Sequence, residues 1–213
     1  MKKIALITLG CGHKDGSEIT ETVSSIIALS EFKTEIHFFS FDEDFPLWGA
    51  NPEQKRNSLI ENQRISRGQS KNISFLNPDE FDALVLPGGN GVLTCLTSWN
   101  QDHINFKVHP QLEKIILRFH EKSKPLGAIC IAPLIVAQVL KKYSPTITLG
   151  EQSDLIASLS KINTQHESCP SSDFITDRDC KLISTPAYMN EQASPYEVFT
   201  GIRLMIKELV EMA

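Results

Sequence analysis

The chain is short of several things, and each shortage closes off a class of function. It has five cysteines, an odd number, and none stands in paired CxxC spacing. Neither a disulfide framework nor a zinc ribbon is suggested, and reduced thiols in a cytoplasmic compartment fit best. Positive charge is scarce, with 21 Lys and Arg against 26 Asp and Glu and a net charge of -5. Neutralising nucleic-acid phosphates needs clustered basic side chains, so nucleic acid is a poor partner. No apolar run is long enough to span a bilayer, and no membrane partner is expected. The opening MKKIALITLGCG has Lys2 and Lys3 like the start of a leader, but its apolar run, Ile4 to Leu9, is too short for one. A lipoprotein cleavage site at Thr8-Leu9-Gly10-Cys11 fails for the same reason, and the run reads as a first buried strand.

Nucleotide loops are missing too. Gly10, Gly12 and Gly16 miss the GxGxxG fingerprint by one residue. Asp42 ends the second strand, where an NAD-binding acid would sit, so a dinucleotide site is weakened without being excluded. There is no Walker loop. His166 and Cys169 have metal-ligand spacing, but a lone HxxC is a weak signal and argues against zinc. No cofactor is expected.

What is present is an ordinary globular composition, 41% hydrophobic and 22% charged over 213 residues. Buried-strand runs alternate with helical patterns. Strands are expected at Lys3 to Leu9, Glu35 to Phe41, Ile73 to Leu76, Ala83 to Pro87, Leu126 to Ile129 and Ile147 to Leu149. Phe174 to Thr176 and Leu182 to Thr185 flank a turn and suggest a late hairpin. Helices are expected at Ser17 to Phe32, Glu53 to Ser66, Val92 to Ser98, Gln111 to Lys122, Pro133 to Lys142 and Glu197 to Met212. In the first, Ile19, Val23, Ile26, Ile27 and Leu29 fall to one side at helical spacing. Phe45 to Pro52 reads as a loop. Arg64 and Arg67 lie on a helix that either solvates itself or covers the site as a lid. The alternation implies one α/β domain, residues 1–213, with a mostly parallel sheet and helices on both faces. Ligands of such sheets bind beyond the carboxyl ends of the strands. The turn Gly10 to Ser17, the turn Gly88 to Gly91 and Cys130 converge there.

Cys130 stands between a strand and a helix, the position of a nucleophile elbow. Pro133 suits the first helical turn. The positive end of the helix dipole then favours thiolate and lowers the thiol pKa. The competing reading is a small buried hydrophobe, the usual fate of a free cysteine. The amides of Gly88, Gly89 and Ile131 are placed to form an oxyanion hole beside the thiol. Glu18, near the start of the first helix, is placed to accept the thiol hydrogen bond or act as general base. Its rival is a capping role, since Asp15-Gly16-Ser17-Glu18 has the pattern of a helix start. Cys11, in the first turn, is a possible secondary thiol.

Four segments in order, GCGHKDGSEITETV, DALVLPGGNG, KPLGAICIAP and ISTPAYM, resemble the PfpI superfamily, also called class I glutamine amidotransferase-like. Within it they are most similar to the isoprenoid-biosynthesis glyoxalases, over essentially the whole chain. The resemblance implies a flavodoxin-like three-layer sandwich. It implies Cys130 as the reactive cysteine, Glu18 as the acid after the first strand, and amides of Gly89 or Gly88 with Ile131 as the oxyanion hole. Superfamily proteases carry a histidine directly after the cysteine, where this chain has Ile131. The amidotransferases use a histidine followed by Pro-x-Glu, whereas His166 is followed by Glu167-Ser168-Cys169. His166 is thus only a secondary candidate, and Glu18 is left to move protons. The implied activity is a glutathione-independent glyoxalase, a lyase that converts small α-oxoaldehydes such as glyoxal to 2-hydroxy acids through a cysteine hemithioacetal. A cytoplasmic homodimer is the implied assembly. The alternative is a regulatory protein whose exposed, low-pKa cysteine senses oxidants.

Overall fold

The computed structural model describes all residues from 1 to 213 except 11, 50, 52 and 152. In chain order the elements are β1 (Lys3–Ile7), α1 (Ile19–Glu31), β2 (Glu35–Ser40), β3 (Asp44–Pro46), β4 (Lys55–Asn57), α2 (Ser58–Ile65), β5 (Lys71–Asn72), β6 (Ala83–Leu86) and α3 (Asn90–Leu96). Then follow α4 (Pro110–Glu121), β7 (Leu126–Ile129), α5 (Ala132–Leu140), β8 (Thr146–Ile147), α6 (Ile156–Leu159), β9 (Gln165–His166), β10 (Ile175–Asp177), β11 (Leu182–Thr185) and α7 (Pro195–Met212).

Seven strands form the central sheet in the order β10-β11-β7-β6-β1-β2-β5. Every pair is parallel except the antiparallel β10–β11 hairpin. β1, β6 and β7 are largely apolar runs, and with β11 they are buried almost throughout, as strands covered on both faces must be. Helices α1 and α7 pack together on one face, and α4 with α5 on the other. The result is a three-layer α/β sandwich of flavodoxin-like architecture. Among the described residues no helix is long and apolar enough to cross a membrane.

Strand order reverses at β1. The chain runs outward to β2 and β5, then returns to β6 on the other side. The crevice at that switch point is where such sheets bind ligands, and the turns after β1 and β6 meet in it.

Three expectations need correction. The loop reading of 45–52 hides a hairpin, since β3 pairs antiparallel with β4. The helix expected from Glu53 starts at Ser58, capped by Asn57, whose side chain accepts the Ile60 amide at 3.0 Å. Ile73 to Leu76 is no strand: Asn72 accepts the Ser74 amide and starts a 3-10 turn over Ile73–Phe75.

Helix α1 turns part of its expected apolar stripe outward. Ile19, Val23 and Ile27 are 50%, 39% and 50% exposed, while Glu21, Thr22, Ser24, Ser25, Ala28 and Leu29 are buried. The hydroxyls of Thr22 and Ser25 donate to the carbonyls of Glu18 and Glu21, so they enter the core already satisfied. This rotation turns Glu21 inward.

Candidate active site

Cys130 sits where β7 becomes α5, with a left-handed backbone (φ 60). A non-glycine residue rarely adopts that conformation, and it persists where surrounding structure enforces it. The Cys130 amide donates to the Thr185 carbonyl of β11 at 2.9 Å, which pins the corner to the neighbouring strand. Ile131 takes the N-cap position of α5 without a side-chain cap, and Pro133 lies in the first turn. The amides of Gly89 and Ile131 point at the sulfur.

Gly88 is dictated by space. A Cβ there would lie 2.6 Å from the Cys130 Cβ, 2.6 Å from the Ile129 carbonyl and 2.9 Å from Glu21 Oε2. At Gly89 (φ 112) it would lie 2.3 Å from the Gly16 carbonyl. The turn after β6 therefore packs backbone to backbone on the turn after β1. The Glu18 amide donates to the Gly88 carbonyl at 2.9 Å, and the Gly91 amide to that of His13 at 3.2 Å.

The sequence points to Glu18 as the carboxyl at the thiol; the structure puts Glu21 there. Glu18 is the N-cap of α1, its Oε2 accepting the Glu21 amide at 2.7 Å. One helical turn on, Glu21 projects into the core beneath the elbow. Its Oε2 accepts the Gly88 amide at 2.9 Å. The other oxygen, Oε1, has no partner in full hydrogen-bonding geometry among the described residues. Cys130 and the Tyr188 backbone face the same carboxyl. The Gly88 amide is thereby committed to Glu21, which leaves the Gly89 and Ile131 amides facing the sulfur.

Electrostatics follow from this burial. The Glu21 carboxyl is fully buried, and its pKa rises from 4.5 to about 8, first through burial and then through the negative charge of Glu18. Glu18 thus acts on the site through Glu21. The thiol of Cys130, only 6% exposed, is also pushed up, by burial and then by Glu21. The Gly89 and Ile131 amides pull the other way without prevailing. The low thiol pKa expected from the helix dipole is therefore not found, because desolvation of the sulfur outweighs the amides. At neutral pH the pair is mostly a neutral acid beside a neutral thiol.

The remaining candidates lie apart or out of view. Cys11 lies outside the described residues. His166, in β9, pairs with Ile147, and its ring bonds the Gly150 backbone. Its Nε2 is buried without a partner among the described residues, and burial lowers its pKa. None of the described contacts of Cys130 is with His166. Asp42 accepts from Asn57 Nδ2 at 3.0 Å. The four described cysteines are free.

Comparison with known proteins gives the same picture. A solved isoprenoid biosynthesis protein with amidotransferase-like domain, from Ehrlichia chaffeensis, superposes with a TM-score of 0.91 at 32% identity. It covers 100% of this chain, and 99% of its own is covered. The mitochondrial ES1 protein homolog of Rattus norvegicus is 29% identical over 99% of this chain and 84% of its own length. Glyoxalase III of Candida albicans has a TM-score of 0.64 over 99% of this chain and 97% of its own, at 14% identity, a likeness of fold alone. The family model for DJ-1/PfpI matches residues 13–181, which take in the end of the first turn, the glycine turn after β6 and the elbow. The chain belongs to the DJ-1/PfpI family.

Proposed function

We propose that this protein is a glutathione-independent glyoxalase acting on small α-oxoaldehydes, with Cys130 as nucleophile and Glu21 as proton carrier. The observation that carries the reading is the buried Glu21 carboxyl facing a thiol on a strained elbow, with two amides aimed at the same sulfur. Cys130 adds to the aldehyde carbon; an S–C bond forms and the thiol proton ends on the former carbonyl oxygen, giving a hemithioacetal. A proton is then taken from that carbon and one is delivered to the neighbouring carbon, while the hydroxyl proton passes to the neighbouring carbonyl oxygen, which leaves a thioester of the 2-hydroxy acid. Ionised Glu21, with a pKa near 8, is a stronger base than an ordinary carboxylate, and its neutral form returns the proton. Gly89 and Ile131 amides hold the oxyanion. Water cleaves the thioester, restores the thiol and releases glycolate from glyoxal or lactate from methylglyoxal.

A regulatory cysteine needs an exposed thiolate, and a 6% exposed, raised-pKa thiol gives that reading less support. A homodimer belongs to the same proposal. The exposed stripe Ile19, Val23 and Ile27 on α1 supports it, since a helix turned apolar side out gains by meeting a second copy. A link to isoprenoid biosynthesis rests on the Ehrlichia chaffeensis protein alone.

The test follows glyoxal and methylglyoxal loss together with 2-hydroxy acid appearance by NMR, for wild type and Cys130→Ser. Product from the wild type and none from the variant is the expected result. Aldehyde loss without product would sink the proposal.

A further inference from the structure

The first turn carries three glycines. Gly10, Gly12 and Gly16 do not make a nucleotide loop, yet Gly10 and Gly12 have positive φ (57 and 135) and all three pack tightly. Against Gly16 the space is filled by the side chain of Arg56, from β4, while Glu61 Cβ stands nearest Gly10 and Asp15 Oδ1 nearest Gly12. A Cβ on Gly16 would lie 2.3 Å from Arg56 Nη2. One on Gly10 would lie 3.4 Å from the same nitrogen, and one on Gly12 3.9 Å from Nη1.

Arg56 is held in place. Its side chain is 11% exposed. Nη2 donates to the Asp15 carbonyl at 2.8 Å and lies 3.2 Å from Asp15 Oδ1, while Nη1 lies 3.8 Å from Glu61 Oε2. The other oxygen of Asp15 accepts the Trp48 amide at 2.8 Å. Asp15 is therefore a knot joining the hairpin β3–β4 to the first turn. A planar guanidinium can grip a carbonyl and a carboxylate at once, and an ammonium cannot match that geometry.

The grip reaches the elbow in two steps. Arg56 rests on Asp15 and Gly16. The Gly16 carbonyl and the Glu18 amide are the backbone atoms against which Gly89 is packed, and the Gly89 amide faces the Cys130 sulfur. We infer that Arg56 is a positioning residue, clamping the first turn so that the Gly89 amide and the start of α1 keep their places against Cys130. It touches no reacting atom. Gly16 is the glycine that lets the clamp in. The inference rests on Cys130 being the reactive thiol, and does not require the glyoxalase activity.

The experiment measures iodoacetamide alkylation at Cys130, resolved from the other cysteines by peptide mass, across neutral to alkaline pH. Wild type, Arg56→Met, Arg56→Lys and Phe119→Leu are compared, each with its Tm. Phe119 is buried in α4, beside the start of β7 and at the opposite end of that strand from Cys130, and controls for simple destabilisation. Loss of the clamp should weaken the Gly89 contact to the thiolate. The expected result is a midpoint raised by about half a pH unit or more in Arg56→Met. Arg56→Lys should shift less in the same direction, and Phe119→Leu should overlay wild type at a lowered Tm. If Arg56→Met does not fold, Arg56→Lys decides by the same criterion. Arginine variants whose profiles superimpose on wild type, whatever their Tm, would overturn the inference. Glyoxalase assays that fail in the wild type would leave this readout intact, so the two ideas fail separately.

Discussion

The elbow and the segment that covers the first turn are built from opposite materials. Behind Cys130, α5 is buried on nearly every side, with Ala132 through Gln138 and Leu140 all in the core. Over the first turn, α2 buries Ser58 and Asn62, with Ser66 at its C-cap, and leaves Ile60 64% exposed. Its attachments are hydrogen bonds. Asn62 Nδ2 donates to Ser70 Oγ at 2.7 Å and Asn62 Oδ1 accepts from the Thr8 hydroxyl. Ser58 meets Ser40 at 2.7 Å. Burial of a large aliphatic side chain contributes about 1.5–3 kcal/mol. A hydrogen bond exchanged for water nets only about 1 kcal/mol. The proposed nucleophile, Cys130, is thus fixed by the strongly held region, and the cover by the more weakly held one, which can open at lower cost.

Paired truncations would break or confirm that contrast. Ile135→Ala, at a position 1% exposed in α5, should cost about 2–5 kcal/mol of global stability in denaturant titration. Asn62→Ala should cost about 1–3 kcal/mol, much of it local. Hydrogen exchange should then quicken in residues 44–70 while amides of β7 and α5 keep wild-type protection. Equal quickening in both regions would show one cooperative unit and remove the distinction.

The polar group buried inside the strong region gives the next largest effect. Glu21 has its pKa raised in the fold from 4.5 to about 8. The native state therefore binds more protons than the unfolded chain between those values. Its contribution to stability is full below pH 4.5 and is lost as pH rises through about 8. Wild type should lose Tm across this window relative to Glu21→Gln, which does not titrate there. A constant Tm difference between the two would mean that Glu21 is not buried as an acid. The same substitution should lower turnover by about 10²- to 10⁴-fold.

Much of the strong region was legible from residue patterns. The apolar run Leu126 to Ile129, the thiol after it and Pro133 fix a strand, a corner and a helix start without tertiary information. The β10–β11 hairpin shows in the same way. The weak region was not legible, because its elements are specified by side-chain partners far away in sequence. Lys55-Arg56-Asn57 has no apolar alternation, and forms a strand only because it pairs with 44–46. Glu21 was missed for a related reason. The apolar stripe of α1 suggests that Ile19, Val23 and Ile27 face inward, which would send Glu21 toward solvent. Hydroxyls that bond their own helix carbonyls are what allow the polar side to be buried. The signal that was available lay in spacing: an acid one turn beyond an N-cap reaches deeper under the sheet than the cap itself.

Glu18 supplies the smallest and most discriminating test. It caps α1 and also raises the pKa of Glu21 by its charge. Glu18→Gln keeps an oxygen for the Glu21 amide and removes the charge, so the cap survives while the electrostatic push is lost. Tm should fall by little, since cap losses are at most about 0.5–2 kcal/mol even when the oxygen is removed outright. The midpoint for Glu21 should move down, and turnover above neutrality should change by only about two- to fivefold. A collapse of activity comparable to Glu21→Gln would return the proton-carrying role to Glu18 and require the two carboxyls to work in relay. A small shift confined to the pH profile would leave Glu18 as the charge that keeps Glu21 protonated.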